Sequence, residues 1–300
     1  MPSHLKELVR ARMEKTGESY QQALRHVRAQ EERGAPAPVS EKVVRSRTVA
    51  DTAFSIAVVR AEEASRPPGE RLFVDPYASM FAAAGAHATE STQRFLDLPF
   101  FREGIRLRTR FIDDCVREGL AAGLAQVVLL GAGFDARGLR IAEVATRGAK
   151  VFEVDTPEQM HRKRRALAGA GVKLPAQVVY VPFDVDTPDF DGELAGALEM
   201  AGFQAGIGAF FVWEGVIGYI DDAVIDRSLR FMVTAGGPGS RVAFTFADET
   251  VTGTEKMAAR TRRCGFASCE ELAGDALWRR YLPGEPHPNA WVMKVGLATV

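Results

Sequence analysis

Glycines and a carboxylate at the ends of two apolar runs could together hold a nucleoside. The first run, residues 127–130, is followed by Gly131 and Gly133, and the second, residues 151–154, ends at Asp155. Glycines allow a sharp turn and close approach of a ligand, and a carboxylate at a strand tip can accept hydrogen bonds from both ribose hydroxyls. This spacing predicts the first β-α-β unit of a nucleotide-binding sheet and an adenosine-containing ligand.

The identity of the adenosine ligand depends on the loop itself. The pattern formed by Gly131, Gly133 and Ala136 also fits a dinucleotide loop, so an NAD(P)-dependent oxidoreductase is one alternative. Asp135 would repel a pyrophosphate, however, and residues 1–125 precede the first strand of the unit. S-adenosylmethionine has no phosphate and presents an ammonium and a carboxylate, which favours it as the cofactor.

Composition sets the class of protein. The 300 residues are 46% hydrophobic and 26% charged with a net charge of -1, as in a globular enzyme without a general attraction to nucleic acid or membranes. We find no apolar run of membrane-spanning length and no signal peptide, so we expect a cytoplasmic protein. Cys115, Cys264 and Cys269 lack metal-ligand spacing, and we expect neither a metal nor a disulfide.

The first 47 residues differ from the rest. Residues 3–32 show the pattern of a helical hairpin, and residues 34–38 read as a linker, which predicts an appendage over 1–34 and a main domain over 40–300. Residues 1–47 contain ten Lys or Arg and six Glu. This charge could contact nucleic acid, but a solvated helical face that packs on the main domain or on a partner is the favoured interpretation.

Strands and helices alternate through the main domain, which predicts an α/β fold with a mostly parallel sheet covered by helices on both faces. The predicted strands cover 126–130, 150–154, 177–183, 208–213, 240–246 and 290–299. The predicted helices cover 41–64, 101–121, 138–147, 157–169, 221–235, 254–263 and 269–279, with a short one after Asp75. Ligands of such sheets bind at the carboxyl ends of the strands, where Asp155, Asp184 and Glu214 lie.

One arginine interrupts an apolar helix face. In the helix predicted over 101–121, Arg108 shares a stripe with Ile105, Ile112 and Val116. A guanidinium on a buried face needs a partner. Either the side chain extends to the edge of the helix, or it binds an anion there.

Six ordered motifs resemble the leucine carboxyl methyltransferase family, specifically its bacterial branch of S-adenosylmethionine-dependent O-methyltransferases. The resemblance covers about residues 48–300, and the motifs span 57–62, 75–78, 108–113, 130–137, 152–157 and 213–219. It implies a Rossmann-like class I methyltransferase sheet, to which the N-terminal helical appendage is an addition. The segment between Phe246 and Cys264 is short for this family, which leaves the acceptor open.

The resemblance also implies roles for individual residues in cofactor binding. Arg108 would bind the cofactor carboxylate, Asp155 the ribose, and Glu214 would approach the amino-acid end. The remaining predicted cofactor-binding residues are Gly131, Ala132, Gly133 and Asp135 in the loop, and Asp184 and Val185 beside the adenine. Arg47 and Arg60, in the helix that caps the pocket, are further candidates. Asp135 could instead cap the following helix, and Asp186 could replace Asp184.

The chemistry of the acceptor follows from the side chains at the strand ends. They are carboxylates, and the five histidines do not cluster. A carboxylate acceptor is already ionised at neutral pH and needs no general base. We therefore expect a carboxylic acid of a small molecule or peptide to be converted to its methyl ester, with no catalytic residue assigned. The alternatives are a phenol or other hydroxyl acceptor, and a non-catalytic protein that binds a partner.

Overall fold

The computed structural model describes residues 41–84, 92–93, 96–184, 187, 189–252 and 255–300, with side chains from Thr52 onward except that of Val251. The chain divides into two units, 1–47 and 48–300, and all that follows concerns the second. The hairpin and linker predicted within 1–38 lie outside the described residues, so the appendage remains a prediction.

The elements alternate as the sequence predicts. The helices are α1 (Glu41–Ser65), α2 (Ala78–Ala84), α3 (Phe101–Ala121), α4 (Arg137–Arg140), α5 (Ala142–Thr146), α6 (Pro157–Gly169), α7 (Phe190–Met200), α8 (Asp222–Gly236), α9 (Glu249–Thr252), α10 (Met257–Arg263) and α11 (Gly274–Tyr281). The strands are β1 (Gln126–Leu130), β2 (Lys150–Asp155), β3 (Val178–Pro182), β4 (Phe210–Trp213), β5 (Arg241–Ala247), β6 (Ser268–Ala273) and β7 (Met293–Thr299). Short 3-10 turns cover Ile217–Tyr219 and Ala290–Val292.

The strands form one sheet in the order β3-β2-β1-β4-β5-β7-β6, in which β1 to β5 are parallel and β7 is antiparallel to both neighbours. This confirms the predicted α/β sheet. The chain order reverses between β1 and β4, and such a switch point opens a crevice at the carboxyl ends of the strands.

Alternate side chains of the strands point into two hydrophobic cores, one on each face of the sheet. On one face Phe152, Phe211 and Phe244 belong to the same cluster as Leu229 of α8. On the other, β1 and β4 side chains cluster with residues of α3, among them Ile112, Val116 and Leu120. Since burying each such side chain stabilises the fold by about 1.5–3 kcal/mol, the sheet and α3 form a rigid base for the crevice.

The sequence prediction is wrong for residues 269–273. They form the edge strand β6, which pairs with β7, and helix α11 begins only at Gly274. Glu270, Glu271, Leu272 and Ala273 all favour helices, but pairing with β7 overrides this preference. The charged residues also suit an exposed sheet edge.

Two other predicted helices are shorter than expected. The one over 138–147 is two helices, α4 and α5, because Ile141 has an extended backbone with ψ 105°. The one over 254–263 begins at Met257. Within the described ranges, none of the helices is both long and apolar enough to cross a membrane.

Candidate active site

The glycine loop after β1 is fastened to the end of β2. The N–H groups of Gly131 and Ala132 donate to the Val154 carbonyl at 2.9 and 3.0 Å, and that of Gly133 donates to Asp155 Oδ2 at 2.6 Å. Gly131 has a φ of 70°, a conformation that favours glycine. These N–H groups are therefore used within the protein and do not form a phosphate cradle.

Asp135 closes the start of α4. Its Oδ1 accepts the backbone N–H of Arg137 at 2.7 Å, and its Oδ2 pairs with the guanidinium of the same residue. The N-cap of α4 is Ala136, so Asp135 lies one residue before the capping position that the sequence alternative gave it. A carboxylate in this loop would repel a pyrophosphate, which disfavours NAD(P) as the ligand.

Asp155 lies at the tip of β2, where the sequence predicts it. Besides the Gly133 N–H, it accepts the N–H of Thr156 on Oδ1 at 2.7 Å. Burial raises the pKa of the Asp155 carboxyl, although these two N–H bonds oppose the shift. The residue joins the loop to β2, and its contact with a ribose remains a prediction.

Glu214, at the tip of β4, is surrounded by three arginines. Its carboxylate accepts from Arg137 at 2.7 Å, from Arg108 at 2.9 Å, and from Arg60 at 3.1 Å on both oxygens. The side chain is 6% exposed, so the carboxylate is withdrawn from solvent. Burial alone would raise its pKa, but Arg137, Arg60 and Arg108 together hold the pKa of Glu214 well below its ordinary range.

The arginines of this cluster are unequally paired. Arg137 forms ion pairs with Asp113 and Asp135 as well as with Glu214, whereas Arg60 and Arg108 share the carboxylate of Glu214. Burial lowers the pKa of Arg108, the ion pair with Glu214 opposes that shift, and Arg60 adds to it. Among the described residues, two buried donors of the cluster, Arg60 Nε and Arg108 Nη2, have no hydrogen-bond partner. The carboxylate of S-adenosylmethionine is a suitable acceptor for Arg108 Nη2.

The structure brings together Arg60, Arg108, Glu214 and the glycine loop, as the sequence predicts. Asp184 follows β3 and is half-buried, next to Phe183, whose N–H donates to the Asp155 carbonyl at 2.8 Å. Val185, Asp186 and the side chain of Arg47 lie outside the described part. The roles of these residues toward a cofactor remain predictions.

Three buried charged residues of the site were missed from the sequence: Arg137, Lys163 and Glu153. Lys163 Nζ pairs with Glu153 Oε2 at 2.6 Å and donates to the carbonyl of Asp135, so it supports the loop from below. A signal was present for Lys163, because its spacing from Met160 and Leu167 places it on the buried face of α6. Arg137 is within a motif, but nothing in the sequence pairs it with Glu214.

The strand order, with the glycine loop and the arginine cluster at its switch point, is that of a class I S-adenosylmethionine-dependent methyltransferase. The model of the leucine carboxyl methyltransferase family matches residues 53–233, and this chain belongs to that family. It therefore uses S-adenosylmethionine to transfer a methyl group. The family assignment supports a methyltransferase over the oxidoreductase and non-catalytic alternatives.

Bacterial relatives agree with this assignment. A provisionally named S-adenosyl-L-methionine-dependent methyltransferase of Streptomyces coelicolor is 32% identical over 246 residues, 78% of each chain. One of Frankia alni is 34% identical over 204 residues, 66% of this chain and 69% of the relative. The crystal structure of a provisionally named methyltransferase from Thermobifida fusca shares the fold, with a TM-score of 0.50 and 19% identity over 82% of this chain and 93% of that one.

Proposed function

We propose that this methyltransferase acts on an oxygen, converting a carboxylate of a small molecule or peptide into its methyl ester. S-adenosylmethionine supplies a methyl group already activated by positive sulfur. The protein has to hold the acceptor in line and exclude water, and such positioning removes about 7–11 kcal/mol from a barrier.

The observation that supports this proposal best is the state of Glu214. A general base works best with a pKa near the operating pH, whereas three guanidinium groups hold that of Glu214 far below it. Asp155 has both oxygens engaged by backbone N–H groups, and Asp135 is paired with Arg137. Glu214 is thus a poor proton acceptor, and Asp135 and Asp155 are both held by other groups of the protein.

The described histidines do not alter this conclusion. His161 lies on α6, in a surface groove that faces β3, and His287 stacks on Phe100 with ring centroids 5.9 Å apart. A hydroxyl acceptor would need its proton removed, whereas a carboxylic acid with an ordinary pKa near 4 is already ionised. An acid acceptor therefore matches the side chains present.

Two arginines of the site also support an acid acceptor. Arg60 Nε and Arg108 Nη2 are separate unpartnered donors, on α1 and α3 respectively. A carboxylate from the cofactor accounts for one, and an acid acceptor would use the other. Charge-assisted bonds of this kind contribute about 1.5–3 kcal/mol each, which favours an acid over its amide or alcohol.

The test compares acceptors that share one carbon skeleton. Purified protein and S-adenosylmethionine are incubated with sets of an acid, its primary amide and the corresponding alcohol or phenol. Methylated products are then treated with mild alkali, which releases methanol from an ester and leaves an ether intact. We expect turnover of acids only, at a rate of the chemical step that changes little between about pH 6 and 8.

An alkali-stable product from the best acceptor, or a rate that climbs with pH across this range, would contradict carboxyl methylation. Either result would indicate a hydroxyl acceptor. The assignment to the methyltransferase family would not change.

A further inference from the structure

The guanidinium of Arg137 joins three separate parts of the site. Its Nε donates to Asp113 of α3 at 2.8 Å, and its Nη1 reaches both Asp135 of the glycine loop and Glu214 at the tip of β4, the latter at 2.7 Å. The side chain is 1% exposed. A single cation thereby fixes the relative positions of a helix, a loop and a strand end.

The contact with Glu214 determines how that carboxylate meets Arg108. Arg137 donates to Oε2, Arg60 donates to both oxygens, and Arg108 bonds to Oε1 through its Nε. Arg108 Nη2 is buried and, within the described part of the chain, has no hydrogen-bond partner. Without Arg137, Glu214 could turn toward Arg108 and accept a hydrogen from Nη2 as well, which would use up this donor before a ligand arrives.

We propose that Arg137 is a positioning residue for the amino-acid end of the cofactor, which it serves by holding Glu214 so that Arg108 keeps a free donor. Arg137 itself contacts carboxylates of the protein, and its effect is transmitted through Glu214. This inference rests on the proposed site for the cofactor carboxylate at Arg108.

The variant Arg137→Lys retains the charge but loses the planar fork, and one ammonium cannot span Asp113, Asp135 and Glu214. A matched control is Arg140→Lys. Arg140 is 2% exposed, lies on the same short helix and pairs with the same Asp113 through two bonds of 2.5 and 2.7 Å. It differs in having no contact with Glu214 among its hydrogen bonds and ion pairs.

Two ligands separate the amino-acid end from the nucleoside. S-adenosylhomocysteine carries the carboxylate and ammonium, whereas 5′-methylthioadenosine keeps only the adenosine and a methylthio group. By calorimetry, Arg137→Lys should weaken S-adenosylhomocysteine by about tenfold or more and methylthioadenosine by less than about twofold. Arg140→Lys should leave the ratio of the two affinities at its wild-type value, whatever it does to stability.

Two reference variants show whether the site or the inference has failed. Arg108→Lys should also weaken S-adenosylhomocysteine selectively, whereas Asp155→Ala, at the predicted ribose, should weaken both ligands alike. If Arg108→Lys leaves the ratio unchanged, the proposed carboxylate site is wrong. If Arg108→Lys changes the ratio and a folded Arg137→Lys does not, the positioning role of Arg137 is wrong.

Should Arg137→Lys fail to fold, Asp113→Asn provides the same readout. It keeps Arg137 but weakens the anchor of its Nε, so the affinity ratio should shift in the same direction by a smaller factor. An unchanged ratio in a folded Asp113→Asn variant would overturn the inference in that case.

Discussion

Lys163 and Glu153 form an ion pair that is almost completely withdrawn from water. Both side chains are 1% exposed, and Glu153 Oε1 has no hydrogen-bond partner in the described ranges. Burial raises the pKa of Glu153 to about 7, with Lys163 opposing the shift. Such a pair adds little net stability, but loss of one member leaves the other charge uncompensated.

We expect Lys163→Met to lower the free energy of unfolding by about 3–5 kcal/mol. Without the ammonium, Glu153 keeps its proton to higher pH in the folded state, while its unfolded pKa stays near 4.5. The folded variant thus continues to bind more protons than the unfolded chain above about pH 7, so its deficit relative to wild type should grow as pH rises there. Urea unfolding at pH 6 and 8.5 measures this.

The control is the double variant Lys163→Met with Glu153→Leu, which removes both charges. It should recover most of the lost stability, and its deficit should no longer grow with pH. About 1–3 kcal/mol should remain lost, because the Asp135 carbonyl loses its donor. A double variant no more stable than the single one would show that the charge is not the cause.

The glycine loop and the turn after β4 touch at one point. A Cβ on Gly131 would lie 2.6 Å from Val216 Cγ2, and Gly215 N–H donates to Thr245 Oγ1 of β5 at 2.8 Å. Loop, turn and strand are thus held in contact directly below Glu214. Movement of the loop should displace the carboxylate.

We expect Gly131→Ala to lower both stability and S-adenosylhomocysteine affinity, because it combines an unfavourable φ with a clash. The backbone conformation alone costs about 1–2 kcal/mol. Gly239→Ala is the matched control, since Gly239 has a φ of 79° with nothing within 4 Å of the added Cβ. For Gly239→Ala, thermal unfolding should show a loss of stability, and calorimetry should show an unchanged affinity for S-adenosylhomocysteine.

Adding Val216→Ala to Gly131→Ala removes the clash and leaves the strained φ. Part of the affinity should return. If affinity is unaffected in Gly131→Ala, the loop and Glu214 are not mechanically linked.

Elements whose pattern is local were predictable, and those that depend on a distant partner were not. The bounds of β1, α3 and α6 follow from uninterrupted apolar runs or periodicity, and match the structure. β6 has the composition of a helix and becomes a strand only by pairing with β7. Similarly, the motifs revealed Arg108 and Glu214, but their ion pair depends on how α3 packs beside β4, which no local pattern encodes.

At the scale of the whole unit, the sheet brings acidic residues that are distant in the sequence close together. The parallel order places the ends of β2, β1 and β4 side by side, and α3 lies across them with its arginines. Together with arginines of α1 and α4, four guanidinium groups form a buried ionic layer with their carboxylates. These arginines are Arg60, Arg108, Arg137 and Arg140. The layer includes Glu214 and Asp113, whose carboxyl pKa values are both lowered: burial opposes the shift, and arginines outweigh it.

This layer predicts how stability depends on acid. Carboxyls with a lowered folded pKa stabilise the protein above their ordinary pKa values, 4.5 for Glu214 and 3.8 for Asp113, and lose that contribution as pH falls below them. We expect the urea midpoint to fall steeply between about pH 4.5 and 2.5. Glu214→Gln should be less stable at pH 6 and show a shallower fall. Parallel curves for the two proteins would contradict this contribution.

Arg60 and Arg108 share one carboxylate, that of Glu214, so their surroundings favour anions over neutral molecules, and esterification turns an anion into a neutral molecule. With the proposed acid acceptor, transfer of the methyl group would therefore abolish the attraction that held the substrate. The ester would be released readily and compete weakly with fresh acid. S-adenosylhomocysteine keeps its carboxylate, so we expect it to leave the site more slowly than the ester.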